Sequence, residues 1–373
     1  MQLVQNLKHF DPSRFSHELV LLKSASHSRL EEVPDHVRVT TLREVAKGQR
    51  LAALIHLGRF LAVRHPKLVH ATLPFASLTA RVATSALNIP YVESLVTISH
   101  EKIRLLDNSL VTPWKLQLHT QLDRITSRRT LAFHAVSERV ADSWSQVVSL
   151  PRDRITTIPR GVDTNGLLAR SSSAPRSEVR AGLGVAPDAF LVANVGRLEP
   201  AKGQRYLIEA MAQVARDVPN AHAVIVGDEG LSSPDLRKRI RALGLERRVR
   251  LAGIRKDVPA ILRASDVFAF PSLYEGNGGN ALIEALALGL PVVTTRDSPM
   301  TDIVPDESVG LLVPARDPRS LARAIVAVAH DERLRTNLNR SGPVRVAQLP
   351  SPEEVARRIE DWYAKCIAAS CSK

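Results

Sequence analysis

Two carboxylates bracket a glycine-rich turn in DVFAFPSLYEGNGGNALIEALALGLPVVTT, Asp266–Thr295. Glu275 opens the turn, which runs through Gly276, Gly278 and Gly279 to Asn280, and Glu284 follows within an apolar stretch. A helix starting near Asn280 would offer free backbone N–H groups, a favourable place for a phosphate. Glu284 is flanked by Leu282, Ile283, Ala285, Leu286 and Ala287, so its carboxylate lies in a largely buried helix and needs a partner. Sugar hydroxyls would be suitable. Upstream, VGRLEPAKG (Val195–Gly203) ends a buried strand at Gly196 and adds Arg197 and Lys202. A missing side chain at Gly196 permits close approach of a ligand, and two cations there would neutralise a departing pyrophosphate. Isolated charges of these kinds are more often solvated surface groups. Their place at strand ends beside glycines points instead to a nucleotide-sugar site.

The elements that must position these residues are legible from periodicity. Strands are expected at Phe190–Val195, Ala221–Val226, Val249–Ala252, Val267–Ser272, Pro291–Thr295 and Val309–Val313. Helices are expected at Gln204–Val218, Asp235–Leu245, Val258–Ala264 and Pro318–His330, the last with Asp317 at its cap. Continuous apolar strands alternating with helices imply a parallel sheet covered on both faces, whose ligands lie beyond the carboxyl ends of the strands. The N-terminal half repeats the rhythm more faintly. Its strands are Glu18–Leu22, Val37–Leu42, Leu68–Leu73, Tyr91–Val96, Ala132–Val136 and Ile155–Ile158. Its helices are Val45–Val63, Ser77–Leu87, Trp114–Arg128 and Glu138–Val148. RSSSAPRSE then reads as a linker. The fold class is therefore α/β, with two Rossmann-like, doubly wound parallel-sheet domains. The expected division is 1–165 and 166–350, with a last helix (351–373) after the breaks at Gly342–Pro343 and Pro350 that would pack back on the first domain.

Composition narrows the partners. The chain has 373 residues, 44% of them apolar, enough for two cores. No apolar run approaches the ~18 residues of a membrane span, and the N-terminus lacks the pattern of a secretory signal. Cys366 and Cys371 are too sparse for a disulfide framework or a metal site. The net charge of +13 favours anionic partners. Residues 1–165 carry 22 Lys/Arg against 14 Asp/Glu, a surplus of 8. With aromatic residues at only 4%, no stacking platform for nucleic acid is present, and nucleic acid is not expected as a partner. An anionic membrane surface or a phosphorylated small molecule fits better. The stripe Trp114, Leu118, Leu122 and Ile125 reads first as a core-facing helix stripe and second as a face leaning on a membrane.

The GR…K turn, IVGDEG, AGIRKDVP, the glutamate-flanked turn and LGLPVV together resemble glycosyltransferase family 4, of the GT-B fold, over nearly all of the C-terminal half. IPRGVD resembles that family's interdomain hinge. The resemblance implies that Arg197 and Lys202 bind the donor's diphosphate and that Glu284 binds the nucleotide ribose. It implies that Glu275 and the backbone of Gly278–Asn280 hold the donor sugar and β-phosphate. Ile254 and Arg255 would lie near the base. The family also places an N-domain histidine beside the donor sugar, a part His100 would take; an ordinary loop histidine is the other reading. His70 and His134 read as structural. Two departures stand out. Eight residues separate Glu275 from Glu284, one more than in the family, which leaves Glu284 on its usual face and shifts the amides around Glu275. The chain also opens on a helical pattern (Leu3, Val4, Leu7, Phe10) where a strand and a glycine-rich loop are expected, so either the domain is reduced or its start lies upstream.

No Asp-x-Asp triplet and no His/Cys cluster with ligand spacing occurs, so no metal or other cofactor is expected. The leading reading is a retaining, metal-independent glycosyltransferase moving a sugar from a nucleotide diphosphate to a glycan or lipid-linked acceptor in cell-surface polysaccharide or glycolipid synthesis. Glu275, Arg197, Lys202 and His100 are its catalytic candidates. A cytoplasmic location, peripheral at the inner membrane face, accompanies it. The alternative is an N-terminally reduced nucleotide-sugar-binding protein without transfer activity. A dehydrogenase is disfavoured by the missing dinucleotide fingerprint.

Overall fold

The computed structural model describes residues 2–22, 30–42, 50–98, 100–105, 111–171, 174–274, 279–296 and 299–371. The chain divides into two compact units, one of Met1–Lys102, Val111–Gly161 and Pro350–Lys373, the other built on Val162–Leu349. The boundary falls at Gly161–Val162 and not in RSSSAPRSE, because both ends of that Ser/Pro-rich run are helical.

The first unit comprises α1 (Gln2–His9), β1 (Glu18–Leu21), β2 (Arg38–Thr41), α2 (Arg50–Arg64), β3 (Val69–Thr72), α3 (Pro74–Leu87), β4 (Tyr91–Leu95), α4 (Pro113–Thr126), β5 (Ala132–Ala135), α5 (Glu138–Ser143) and β6 (Ile155–Thr157). Its main sheet is parallel, in the order β3-β4-β5-β6, and β1 and β2 pair as a separate parallel ribbon. Residues 352–371, the chain's last helix, belong to this unit. Val355, Ile359, Trp362, Tyr363 and Cys366 of that helix pack with Leu7 and Phe10 near α1 and with Val92 and Ile158 of the sheet region.

The first unit also sorts its polar groups. His70, Ser94 and His134 stand on adjacent strands of the parallel register, so a hydrogen-bonded chain can cross the sheet face. Tyr363 O–H meets His70 Nδ1 at 2.6 Å, His70 Nε2 meets Ser94 Oγ at 2.7 Å, and Ser94 Oγ meets His134 Nδ1 at 2.8 Å. His134 Nε2 ends the chain on the Ile158 carbonyl at 2.8 Å. Burial holds both imidazoles far below the ordinary histidine value, His70 at about 3 and His134 at about 4. The α4 stripe departs from its first reading. Trp114, Leu118, Leu122 and Ile125 are 62, 49, 39 and 60% exposed, because α4 turns Leu116 and Thr120 inward instead. Among the described residues, no helix is long and apolar enough to cross a membrane.

The second unit comprises α6 (Thr164–Ser171), α7 (Arg176–Gly182), β7 (Phe190–Val195), α8 (Gln204–Asp217), β8 (Ala221–Val226), α9 (Ser233–Ala242), β9 (Val249–Gly253), α10 (Val258–Ala264), β10 (Val267–Phe270), α11 (Asn280–Ala287), β11 (Val292–Thr295), β12 (Leu311–Val313), α12 (Pro318–His330) and α13 (Glu332–Ala347); the last helix, Pro352–Cys371, is α14. Six parallel strands run in the order β12-β11-β10-β7-β8-β9. Leu207, Ile208, Met211 and Val214 put the apolar face of α8 at zero exposure against the sheet. Asp317 caps α12, its Oδ1 accepting from the amides of Arg319 and Ser320 at 3.0 Å.

The break expected at Gly342–Pro343 is absent: both residues lie inside α13. Gly342 is needed for contact, since a Cβ there would stand 2.8 Å from the Leu286 carbonyl oxygen of α11. α13 therefore braces α11 closely from behind.

Candidate functional site

In the second sheet the chain proceeds from β7 through β8 to β9 in one direction, then returns to β10 and builds β11 and β12 in the other. β7 and β10 are neighbours, so the topological switch point lies between their carboxyl ends, where open α/β sheets bind ligands. The loops leaving these two strands carry the sequence candidates.

After β7, Gly196 continues the ladder by donating its N–H to Val226 O at 2.9 Å. Pro200–Lys202 form a short 3-10 turn, and Gly203 follows at φ 65°. A Cβ at 203 would collide with the Pro271 carbonyl oxygen, so glycine lets this loop close on the one after β10. Two hydrogen bonds fasten the contact: Leu273 N to Ala201 O at 2.8 Å and Ser272 Oγ to Ala201 O at 2.9 Å. Gly227 provides similar clearance behind the Gly196 carbonyl.

Lys202 lays its stem along Gly196, where a Cβ would stand 3.4 Å from Lys202 Cδ. Its Nζ lies 5.6 Å from the centroid of the Phe270 ring. The other edge of that ring meets Gly279, where a Cβ would approach Phe270 Cζ to 2.7 Å. Phe270 thus sits between the β7 loop and the start of α11, bringing Lys202, Gly279 and Asn280 to one region. Arg197 differs. Its side chain is 73% exposed, and its nearest carboxylate oxygen, on Glu199, is 3.9 Å away.

Asn280 is the first residue of α11, with Gly279 at φ 75° before it. Glu284 follows one turn later, half-buried. Burial raises its carboxyl pKa, and the Arg170 guanidinium of α6 partly counters the shift. Among the described residues its carboxylate has no hydrogen bond or ion pair. A desolvated carboxylate held this way is ready to accept hydrogen bonds from hydroxyl groups.

Ile254 and Arg255 stand at the end of β9, two strands from β7 and so about 10 Å away. Ile254 is 64% exposed, and Arg255 forms a fork with Asp257 at 2.8 and 2.6 Å. They share the strand-end edge without joining the Lys202 cluster. Glu275, Gly276 and Gly278 lie outside the described residues.

His100 occupies a different setting from the one expected of it. It is 5% exposed, edge-on to Trp144 with ring centroids 4.6 Å apart. Nδ1 lies 3.2 Å from Thr120 Oγ1 and Nε2 2.9 Å from Asp123 Oδ2. Asp123 also pairs with Arg81, which forks onto Glu93 at 2.8 and 2.7 Å. Both ring nitrogens therefore face protein partners, and burial makes this histidine part of a core network.

Three contributors escaped the sequence reading. Gln204, 1% exposed at the start of α8, donates from Nε2 to the Arg197 carbonyl at 3.0 Å and so holds the loop that carries Arg197. Phe270 and Arg170 are the others. A glutamine directly after a strained glycine was the available signal for Gln204. Nothing local marks Arg170, which approaches Glu284 only through the packing of α6. Among the described residues, no group of three His, Cys, Asp or Glu side chains is placed to hold a metal ion.

Comparison with known proteins supplies the family. Residues 175–345 match Glycosyl transferases group 1, and residues 9–165 match Glycosyltransferase Family 4. The chain is 29% identical over 297 residues to the UDP-Gal:alpha-D-GlcNAc-diphosphoundecaprenol alpha-1,3-galactosyltransferase of Escherichia coli, covering 79% of this chain and 74% of that one. It is 30% identical over 306 residues to the D-inositol 3-phosphate glycosyltransferase of Kineococcus radiotolerans, covering 76% and 68%. It spans about half the length, 53%, of two other curated relatives. HepE of Anabaena, solved with UDP and glucose, shares the fold with a TM-score of 0.79 at 24% identity, over 97% of this chain and 95% of that one. Matched in both halves and in fold, the chain belongs to the group 1 glycosyltransferases of family 4 and is a glycosyltransferase of the GT-B fold.

Proposed function

We propose that the second unit binds a nucleoside-diphosphate sugar and that the protein transfers the sugar, with retention of configuration, to a hydroxyl of a glycan or lipid-linked acceptor. The observation that carries this reading is the convergence, at the β7/β10 switch point, of Lys202, the α11 start at Asn280 and the half-buried Glu284, which has no hydrogen bond or ion pair among the described residues. Glu284 accepts hydrogen bonds from the ribose, a role its desolvation suits. Lys202, Arg197 and the α11 amides take the diphosphate. Glu275 and the turn after it hold the donor sugar, as the family resemblance implies, and Ile254 and Arg255 lie toward the base. His100, enclosed by Asp123, Thr120 and Trp144, is left to the core.

In the reaction the bond from the anomeric carbon to the β-phosphate oxygen breaks and a bond to the acceptor oxygen forms on the same face. The acceptor proton passes to the leaving phosphate, whose developing charge Lys202 and Arg197 offset without a metal ion. Relatives named for galactosyl transfer to a diphosphoundecaprenol-linked sugar and for D-inositol 3-phosphate support an acceptor bearing phosphate, and HepE's complex makes UDP the first nucleotide to try. A lipid-linked acceptor would bring the protein to the cytoplasmic membrane face.

Titration calorimetry with a panel of nucleoside diphosphates, UDP first, tests the site. One diphosphate should bind the native chain, and Lys202→Ala and Glu284→Ala should each weaken it. Unchanged affinity in both variants would sink the assignment. Nucleotide released from the corresponding sugar donor, with lipid-linked acceptors supplied, separates transfer from binding alone. The binding-only reading draws no support from the relatives, which are named transferases.

A further inference from the structure

The first unit contains a cavity of about 590 Å³ at the amino edge of its sheet, where β4, β5 and β6 begin. Among the described residues its wall carries Arg81, Arg128, Arg129 and Arg154 and no acidic residue. Arg81 is already neutralised by Glu93 and Asp123. The other three have no hydrogen bond or ion pair from their guanidinium groups among the described residues. Arg154 is half-buried against the Phe133 ring, 5.7 Å from its centroid, with Asp153 too far for an ion pair. Burial lowers its pKa, and the Asp153 carboxylate only partly offsets the shift. Thr130 joins the wall, 1% exposed, its hydroxyl without a hydrogen-bond partner.

Two helix carboxyl ends, of α3 and α4, also reach this edge, and basic residues commonly settle near such ends. Each end contributes roughly −0.5 elementary charge. Three guanidinium charges on the lining exceed that, and the extra carboxylate beside Arg81 and the Asp153 charge near Arg154 lie outside the lining residues.

We propose that this cavity is a second oxyanion site, separate from the donor site, in which Arg128, Arg129 and Arg154 take a phosphate group. Guanidinium forks match phosphate oxygens in pairs. The site lies at the amino ends of its strands, opposite the carboxyl ends where α/β ligand crevices form. The phosphate arrives either free in solution or on a lipid headgroup. The second source draws support from α4, whose exposed stripe from Trp114 to Ile125 runs toward Arg128 and Arg129 in the turn that follows.

The test uses the full chain and two probes: glycerol 1-phosphate by calorimetry, and sedimentation with phosphatidylcholine vesicles with or without phosphatidylglycerol. Saturable binding of at least one phosphate-bearing probe is expected, weakened roughly fivefold for each arginine removed in Arg128→Gln, Arg129→Gln and Arg154→Gln. Arg128 and Arg129 are exposed, so their double variant should keep its native unfolding temperature and remains informative if Arg154→Gln fails to fold. Binding of glycerol 1-phosphate alone assigns the site to a solute. Arginine-dependent binding of anionic vesicles, further reduced by Trp114→Ser, assigns it to a headgroup. The proposal is overturned if neither probe binds, or if binding is insensitive to all three arginines. Nucleoside-diphosphate affinity should be unchanged in these variants; its loss would merge the cavity with the donor site and also overturn the proposal.

Discussion

Two groups of charge, one in each unit, rest on similar α/β layers and end in opposite states. In the first unit Arg81, 2% exposed, is held by Glu93 and Asp123, and Tyr91 and His100 add hydrogen-bond and charge contacts to the same carboxylates. Burial alone would lower the Arg81 pKa and raise that of Asp123; their partners reverse both shifts. In the second unit Arg197 stands mostly in solvent, and Glu284 is desolvated with no hydrogen bond or ion pair among the described residues. The first arrangement is complete within the protein. The second is left open among the described residues, as the proposed donor site requires. Composition cannot separate the two cases, since both consist of Arg, Glu and neighbouring apolar residues. What separates them is whether each charge has already met its partner.

This contrast can be broken at several points. The largest effect is expected from Arg81→Ala, which strands Glu93 in the core and should cost about 3–5 kcal/mol of stability, read as a lowered urea midpoint. Lys202→Ala should leave that midpoint nearly unchanged while reducing turnover about 10²–10³-fold, the loss typical of a removed oxyanion donor. If Lys202→Ala instead unfolds the protein, Lys202 serves the fold and not the proposed site.

A third test uses pH. His70 and His134 titrate near 3 and 4 in the fold but near 6.5 when unfolded. Below pH 6.5 the unfolded chain therefore takes up protons that the buried rings refuse. Stability should fall as pH drops, by about 1.4 kcal/mol per pH unit for each histidine, levelling off only near their folded values. Urea midpoints at about pH 7.5 and about pH 5.5 measure this, and His134→Gln should flatten the slope. The smallest effect belongs to Arg170→Ala. Removing that cation should raise the Glu284 pKa further, so the pH below which nucleoside-diphosphate affinity changes should move upward. An unmoved profile would detach Arg170 from the site.

Much of the framework could be read from residues alone. Phe190–Val195, Ala221–Val226, Val258–Ala264 and Pro318–His330 match their expected limits because each is a continuous apolar or clearly capped run. The failures share a cause. Gly342–Pro343 looked like a helix stop, yet glycine there serves the close approach of α13 to Leu286. Trp114 to Ile125 has the spacing of a helix face, but spacing does not say what the face meets. For His100 two readings stood open in the sequence, and only the fold shows the neighbours Asp123, Thr120 and Trp144 that enclose it. Around the β7 and β10 loops, glycines next to charges pointed to Gly196, Lys202 and Gly279, which the fold brings close together, because close approach leaves a mark in the sequence. Arg170 left none.

The location of α14 bears on how the molecule is made. The second unit, Val162–Leu349, interrupts the first, whose closing helix is synthesised after it. Trp362 and Tyr363 complete a core begun by Leu7 and Phe10, so that core stays open until translation has passed through every residue of the second unit. A chain emerging from the ribosome could therefore finish its second unit before its first. Proteins shortened before Pro352 should carry a folded second unit beside a first unit with an unsealed apolar face, a natural mark for quality-control chaperones and proteases.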